Sequence, residues 1–228
     1  MIKAREYVKA ESLSEAWELN QKKSSVILGG MMWLKMSSLS KGTLIDLSGL
    51  GLDTIEETEE EFRIGCMCTL RQLELHEGLN QYFDGVFKEC TRHIVGVQFR
   101  NGATIGGSVF GRYGFSDILT CLMALDTSVE LYQGGIVPIA EFAKMPYDRD
   151  VLVSIRIRKD GRRAAYTTQR RTKTDFPLIA CCAARKGSEW YFSVGARPAR
   201  AELVAVSSAA PDPEEIAERF SYGDNVRG

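Results

Sequence analysis

Two glycine pairs, Gly29-Gly30 and Gly106-Gly107, constrain this 228-residue chain more than any other feature. A glycine has no Cβ, so main chain at such a pair can approach another backbone or a bulky anion more closely than other residues allow. Gly29-Gly30 follows the short apolar run Ser25 to Leu28, the pattern of a buried strand that delivers its end into a glycine turn. Gly106-Gly107 falls in the glycine-dense segment Arg100 to Ser108, which reads as a loop ahead of a helix starting at Ser116 or Asp117 and running through Leu125. Neither pair has the Rossmann G-x-G-x-x-G spacing or the Lys and Ser or Thr of a P-loop. Spacing alone leaves two readings open: a pair of turns that grip a diphosphate, or two tight turns with only a structural duty.

The flanking pattern alternates helices with short strands. Ser12 followed by Glu15, with Leu13, Ala16 and Trp17 as an apolar stripe, predicts a helix over Glu11 to Asn20. Strands are expected at Gly42 to Leu47, from Asp53 to Glu57, and at Phe62 to Cys66 after an acidic hairpin. Thr69 caps an expected helix to His76 with Leu70, Leu73 and Leu75 apolar, and a second helix is expected over Val86 to His93. Further strands read at Ser128 to Tyr132, Val151 to Ile157, Ala164 to Thr168 and Glu189 to Val194. Leu178 to Ala184 is a continuous apolar run that periodicity cannot assign to helix or strand. Past Gly195 the pattern thins until Asp212 opens a helix within Pro211 to Phe220. The polar turn Met145 to Asp150 is the expected domain boundary in an α+β architecture.

Charge and cysteine usage remove several function classes. Lys and Arg number 29 against 30 Asp and Glu, a net charge of -1 that selects neither nucleic acid nor anionic lipid. The apolar runs fall short of the roughly 20 residues that cross a bilayer, and the first residues do not read as a secretory signal, so a cytoplasmic location is expected. The six cysteines then read as free thiols. Cys66 and Cys68 are expected on one face of a strand, and Cys90 with His93 forms a second half-site, but neither set completes a metal cluster; ordinary semi-buried side chains are the reading for both. His76 and His93 lack a nucleophile signature, and Asp148 and Asp150 read as a solvated turn, so no catalytic residue and no metal ligand is assigned. Thr104 and Ser108 carry hydroxyls that can bond phosphate or sugar, while Asp117 serves either as a helix cap or as an acceptor for a sugar hydroxyl.

With these residues in view, the chain resembles the medium, FAD-binding subunit of molybdenum hydroxylases, the xanthine dehydrogenase family. The resemblance runs from Tyr7 through Ser14-Glu15-Ala16, Ile27-Leu28-Gly29-Gly30, Leu44 to Leu47, Ile64-Gly65-Cys66, Arg100 to Ser108, Ser116 to Leu119 and Ala124-Leu125-Asp126. It continues through Val151 to Ile155, Asp175 to Leu178, Val194 to Pro198 and the final Asp224 to Gly228. What it implies is a two-lobed FAD-binding domain of the vanillyl-alcohol-oxidase-like type over residues 1–147, split near 57, and a smaller C-terminal α+β domain over 148–228. By position, Ile27, Leu28, Gly29, Gly30, Met31 and Met32 match a first FAD loop, and Thr104, Gly106, Gly107, Ser108 and Gly111 match a second. Asp117 matches a residue at the ribityl or ribose region and Leu152 an apolar residue near the flavin ring.

The same resemblance implies an electron-transfer subunit acting with a molybdenum cofactor-binding large subunit and a 2Fe-2S small subunit, passing electrons through FAD to NAD or another acceptor. A flavin-free scaffold subunit of the same complex is the alternative, and its support is a departure at the first loop. Where relatives continue with Thr-Asp after the glycines, this chain has Met31-Met32-Trp33. Ser108 stands in place of a more usual Asn, and a Lys expected shortly after Tyr166 is replaced by Thr167 and Thr168. Relatives continue past this C-terminus, so the last domain is expected to be trimmed or completed by a partner. Substrate choice belongs to the molybdenum subunit and is not encoded here.

Overall fold

The computed structural model describes residues 1–197 and 199–223; the resemblances quoted at Pro198 and over 224–228 lie outside the described residues. The chain opens with β1 (Lys3–Lys9), α1 (Leu13–Asn20), β2 (Val26–Leu28) and β3 (Ser40–Asp46), which form a parallel sheet in the order β1-β3-β2. Ser12 caps α1 as expected, its side chain accepting from Glu15 N–H at 3.1 Å, while the Glu15 carboxylate accepts from Glu11 N–H rather than completing a box on Ser12. β3 lies between its two neighbours and buries Ile45 fully, so β2 is aligned to deliver Gly29-Gly30 at the end of the sheet.

Next come β4 (Ile55–Glu57), β5 (Glu61–Gly65), α2 (Leu70–Leu75), α3 (Glu77–Tyr82), α4 (Val86–Thr91), α5 (Val97–Gly102), α6 (Ile105–Phe110) and α7 (Asp117–Ala124). The segment Arg100 to Ser108, expected as a loop, is instead the end of one short helix and the start of the next. Thr104 breaks the helix and restarts it, its extended backbone leaving Oγ1 to accept from Gly107 N–H at 3.2 Å. Thr69 closes a full capping box with Gln72 at the start of α2, but Leu75 is 59% exposed rather than part of the core face. His76 caps α3, its Nδ1 accepting from Leu79 N–H at 3.1 Å.

β6 (Thr127–Leu131), β7 (Gly135–Pro138), α8 (Ile139–Phe142) and β8 (Leu152–Arg158) follow, and a five-stranded antiparallel sheet assembles in the order β4-β5-β8-β6-β7. β8, the strand just beyond the polar turn at Met145 to Asp150, is central and pairs with both β5 and β6. That turn is structured rather than merely solvated: Asp150 accepts from Gln133 and Gly134 N–H, and Asp148 pairs with buried Arg112 at 3.4 Å. The cysteine pair also departs from expectation. β5 ends at Gly65, where a Cβ would overlap the Leu52 carbonyl, so Cys66 and Cys68 lie in the turn beyond the strand.

The remaining elements are β9 (Arg163–Gln169), β10 (Ile179–Lys186), β11 (Glu189–Gly195), β12 (Glu202–Ser207) and α9 (Pro213–Glu218). The four strands form an antiparallel sheet in the order β12-β11-β10-β9, and Asp212 caps α9 as expected. The undecided run at Leu178 to Ala184 is a strand. Ala180, Cys182 and Ala184 are buried while Ile179, Cys181 and Ala183 are half-buried, an alternation that apolar residues on both faces conceal. β12 fills the region where the sequence pattern thinned. α7 is buried along its whole length and packs on β10 and β11, whose small inward residues let it approach.

Candidate functional site

The two glycine pairs meet. A Cβ on Gly30 would overlap the Gly102 carbonyl and stand 3.0 Å from Ala103 Cα, so the first loop is pressed against the backbone that leads into α6. A Cβ on Gly106 would fall 2.5 Å from the Cys66 carbonyl oxygen, which accepts from Gly106 N–H at 2.9 Å. These two glycines are required by close packing of backbone on backbone. Gly107 differs: an added Cβ would meet only Thr104 Oγ1, at 3.3 Å. Its open side faces a cavity of about 920 Å³, also lined by Gly29, Gly30, Thr104 and Asp117. A second cavity of about 370 Å³ shares Ile27, Gly29, Thr104, Gly107 and Gly111 with the first, so the two are divisions of one elongated cleft.

Each residue matched to the two cofactor loops, together with Asp117 and Leu152, lines this cleft. Ile27, Gly29, Gly30, Met31, Met32, Thr104, Gly107, Ser108, Gly111 and Asp117 line the larger part, while Leu28, Gly106 and Leu152 line the smaller. Met31 adopts a left-handed conformation with φ 57°, unusual for a residue with a flexible side chain and a sign of a loop held by its surroundings. Among the described residues, no main-chain or side-chain acceptor serves the N–H groups of Gly30, Met31 and Met32. Such a run of unpaired donors on bare backbone suits an anion. The hydroxyls are less available: Thr104 Oγ1 accepts from Gly107 N–H, and Ser108 Oγ donates to the Thr104 carbonyl at 3.0 Å.

Ser116, not Asp117, caps α7, its Oγ accepting from Leu119 N–H at 3.2 Å. Asp117 is thereby freed to point its carboxylate elsewhere. Oδ1 accepts from Tyr166 Oη at 2.6 Å and pairs with Arg170, both partners coming from the C-terminal sheet and the segment after β9. Burial pushes the Asp117 carboxyl up from its ordinary value, against the opposing pull of Arg170 and Tyr166. Arg170 lines the larger cavity and also donates to Thr168 Oγ1 and the Asp175 carbonyl. A cation therefore stands near the position where the expected Lys is missing, two residues beyond Thr168.

Sequence reasoning missed Arg170 and the aromatic rim of the cavity, Trp33, Phe99, Tyr113, Phe115 and Phe176. Their individual types gave no signal; Trp33 directly after Met31-Met32 was the nearest to one. The thiols behave as side chains of the packed interior. Burial pushes Cys66 up to about 12, with Cys68 adding to it, which disfavours its thiolate form. Among the described residues no group of His, Cys, Asp and Glu is placed to hold a metal, and no helix is long and apolar enough to cross a membrane.

Cleft shape, unpaired loop donors and bare backbone at Gly107 suit the diphosphate of an extended dinucleotide, and comparison with known proteins points the same way. In solved structures, this fold is similar to that of reconstituted carbon monoxide dehydrogenase from Oligotropha carboxidovorans, with a TM-score of 0.83 and 21% identity over 100% of this chain and 90% of that one. It is also similar to quinoline 2-oxidoreductase from Pseudomonas putida 86, with a TM-score of 0.76 and 18% identity over 89% and 76% of the respective chains. The chain is 24% identical over 183 residues, 78% of its own length and 69% of the relative's, to the uncharacterized protein YgfM of Escherichia coli K12. Residues 3–158 match the family described as the FAD binding domain in molybdopterin dehydrogenase. The chain therefore belongs to the family of FAD-binding domains of molybdopterin dehydrogenases, oxidoreductases whose cofactor at this domain is FAD.

Proposed function

We propose that this chain holds FAD across its elongated cleft and serves as the electron-transfer subunit of a xanthine dehydrogenase-type molybdenum hydroxylase. The observation that carries the reading is the seating of Gly30 against Gly102, which sets both glycine turns on one continuous cleft. Backbone from Ile27 to Met32 would lie along one side of the diphosphate, with Thr104, Gly106, Gly107, Ser108 and Gly111 along the other. Asp117 would accept from a ribityl or ribose hydroxyl, and Leu152 would pack against an apolar part of the cofactor. FAD, when bound, supplies the redox chemistry; the protein positions it and excludes water, so this reading requires no general base or nucleophile from the chain.

In this reading the chain works beside a molybdenum-binding large subunit and a 2Fe-2S small subunit and delivers electrons to NAD or another acceptor in the cytoplasm. Its architecture is a two-lobed unit of the vanillyl-alcohol-oxidase-like type over 1–147, split near 57, followed by a C-terminal unit over 148–228. β8 would then be the strand by which the second unit is tied into the sheet of the first. The decisive experiment is direct: the purified chain mixed with FAD is separated from free ligand and its visible spectrum recorded. Stoichiometric flavin absorbance is expected. A colourless, folded protein at saturating FAD would sink the reading in favour of a flavin-free scaffold.

A further inference from the structure

Aromatic rings from four separate stretches of chain that line the larger cavity form an unbroken series of contacts. Trp33 stacks on Phe176 with ring centres 5.4 Å apart and planes at 29°, and meets Phe99 edge-on at 5.3 Å. Phe176 in turn meets Phe115 edge-on at 4.7 Å, and Phe115 stacks on Tyr113 at 5.1 Å. Trp33 is 53% exposed and Phe115 39%, so burial alone does not explain their association. The series links the end of the first glycine loop to the segment that joins β9 and β10, with Trp33 and Phe115 exposed on its solvent side.

That segment, residues 170–177, is built as a strap. Its root is closed by Leu178 N–H donating to the Gln169 carbonyl at 2.8 Å. Arg170 holds it from within by bonding the Asp175 carbonyl and pairing with Asp117 on α7. Phe176 stands beside this anchor and provides the contact with Trp33. Met31 and Met32 give the first loop no side-chain hydroxyl or charge with which to hold a ligand.

We infer that Trp33 and Phe176 form an aromatic clasp over the cleft that retains the cofactor, where Met31 and Met32 offer it no polar side chain. The inference rests on the reading that FAD occupies the cleft. Release then requires two stacked rings to part and the strap to lift, which slows dissociation. The full chain is loaded with FAD and the appearance of free-flavin fluorescence is followed after dilution. Phe176→Leu and Trp33→Leu keep apolar bulk but remove the stack; each is expected to release FAD roughly tenfold faster with an unfolding midpoint within about 2 °C of wild type. Trp190→Leu removes a comparable stack on Phe192, with ring centres 5.7 Å apart in the C-terminal sheet, and is expected to leave release unchanged. Wild-type release from both clasp variants would overturn the inference.

A second measurement needs no substitution. Lys173 is exposed on the strap, so trypsin reports its opening. Bound FAD is expected to slow cleavage after Lys173 in the wild-type chain, and equal cleavage with and without FAD would overturn the clasp. Failure of the wild-type chain to take up FAD at all would instead overturn the parent reading, so the two failures are distinguishable.

Discussion

Gly29-Gly30 and Gly106-Gly107 look alike in the sequence, yet they sit in different kinds of backbone. The first pair lies in an irregular loop whose following N–H groups have no acceptor among the described residues. The second occupies the opening turn of α6, where Gly106 N–H serves the Cys66 carbonyl and Gly107 N–H serves Thr104. The pairs also differ in how crowded they are. In the first, both members are packed, Gly30 against the Gly102 carbonyl and Gly29 against Thr104 Oγ1, which an added Cβ would meet at 2.7 Å. In the second, Gly106 is pressed against the Cys66 carbonyl while Gly107 has room on its cleft side. The second pair thus carries two signals: one residue lets segments touch, and its neighbour leaves room for a ligand.

This division can be broken in order of effect. Gly30→Ala is expected to destabilise the fold by more than about 4 kcal/mol, since the new Cβ would overlap the Gly102 carbonyl and the two loops would have to separate. Urea unfolding measures it, and a loss below about 1 kcal/mol would show that the loops separate without difficulty.

The support beneath the second loop comes next. Arg100 in α5, two residues before Gly102, is 5% exposed and is held by both carboxylate oxygens of Glu74 at 2.8 and 3.0 Å. Glu74→Ala leaves this guanidinium buried without its carboxylate, at an expected loss of about 3 kcal/mol. Burial pushes the Glu74 carboxyl up, but Arg100 and Arg71 overcome this and hold it below its ordinary value of 4.5. The sign follows: the pair's contribution is present above that ordinary value and is lost as pH falls through the depressed one. Wild type should therefore lose more of its melting temperature between neutral and acid pH than Glu74→Ala does. Parallel pH curves for the two proteins would refute the pairing energy.

The sharpest separation of packing from binding is at Gly107. Gly107→Leu should lower FAD affinity by roughly a hundredfold, or about 2.7 kcal/mol, while unfolding free energy stays within about 1 kcal/mol of wild type. Affinity by titration and stability by urea are measured on the same preparation. Unchanged affinity would remove Gly107 from the cofactor's path.

Much of the local structure was legible before any coordinates. Ser12, Thr69 and Asp212 cap helices because their short polar side chains serve N–H groups a few residues ahead, a relation contained within one turn. The cleft-lining positions were legible too, through glycine spacing and family resemblance together. The strand at Leu178 to Ala184 was not, because its two faces are both apolar, one against α7 and one in a second apolar cluster with Ile179 and Cys181. Asp117 could be read as cap or ligand; only the seat taken by Ser116 decided it.

By itself the sequence determined where the chain can turn tightly, where helices begin and which segments alternate, since these depend on neighbours a few bonds away. The tertiary structure decided that Gly106 meets backbone while Gly107 has room toward the cleft. It also decided that Arg170 reaches Asp117 and that Phe176 reaches Trp33. Those partners are far apart along the chain, and nothing in their local sequence favours one distant neighbour over another until the packed sheets and helices bring them within contact distance.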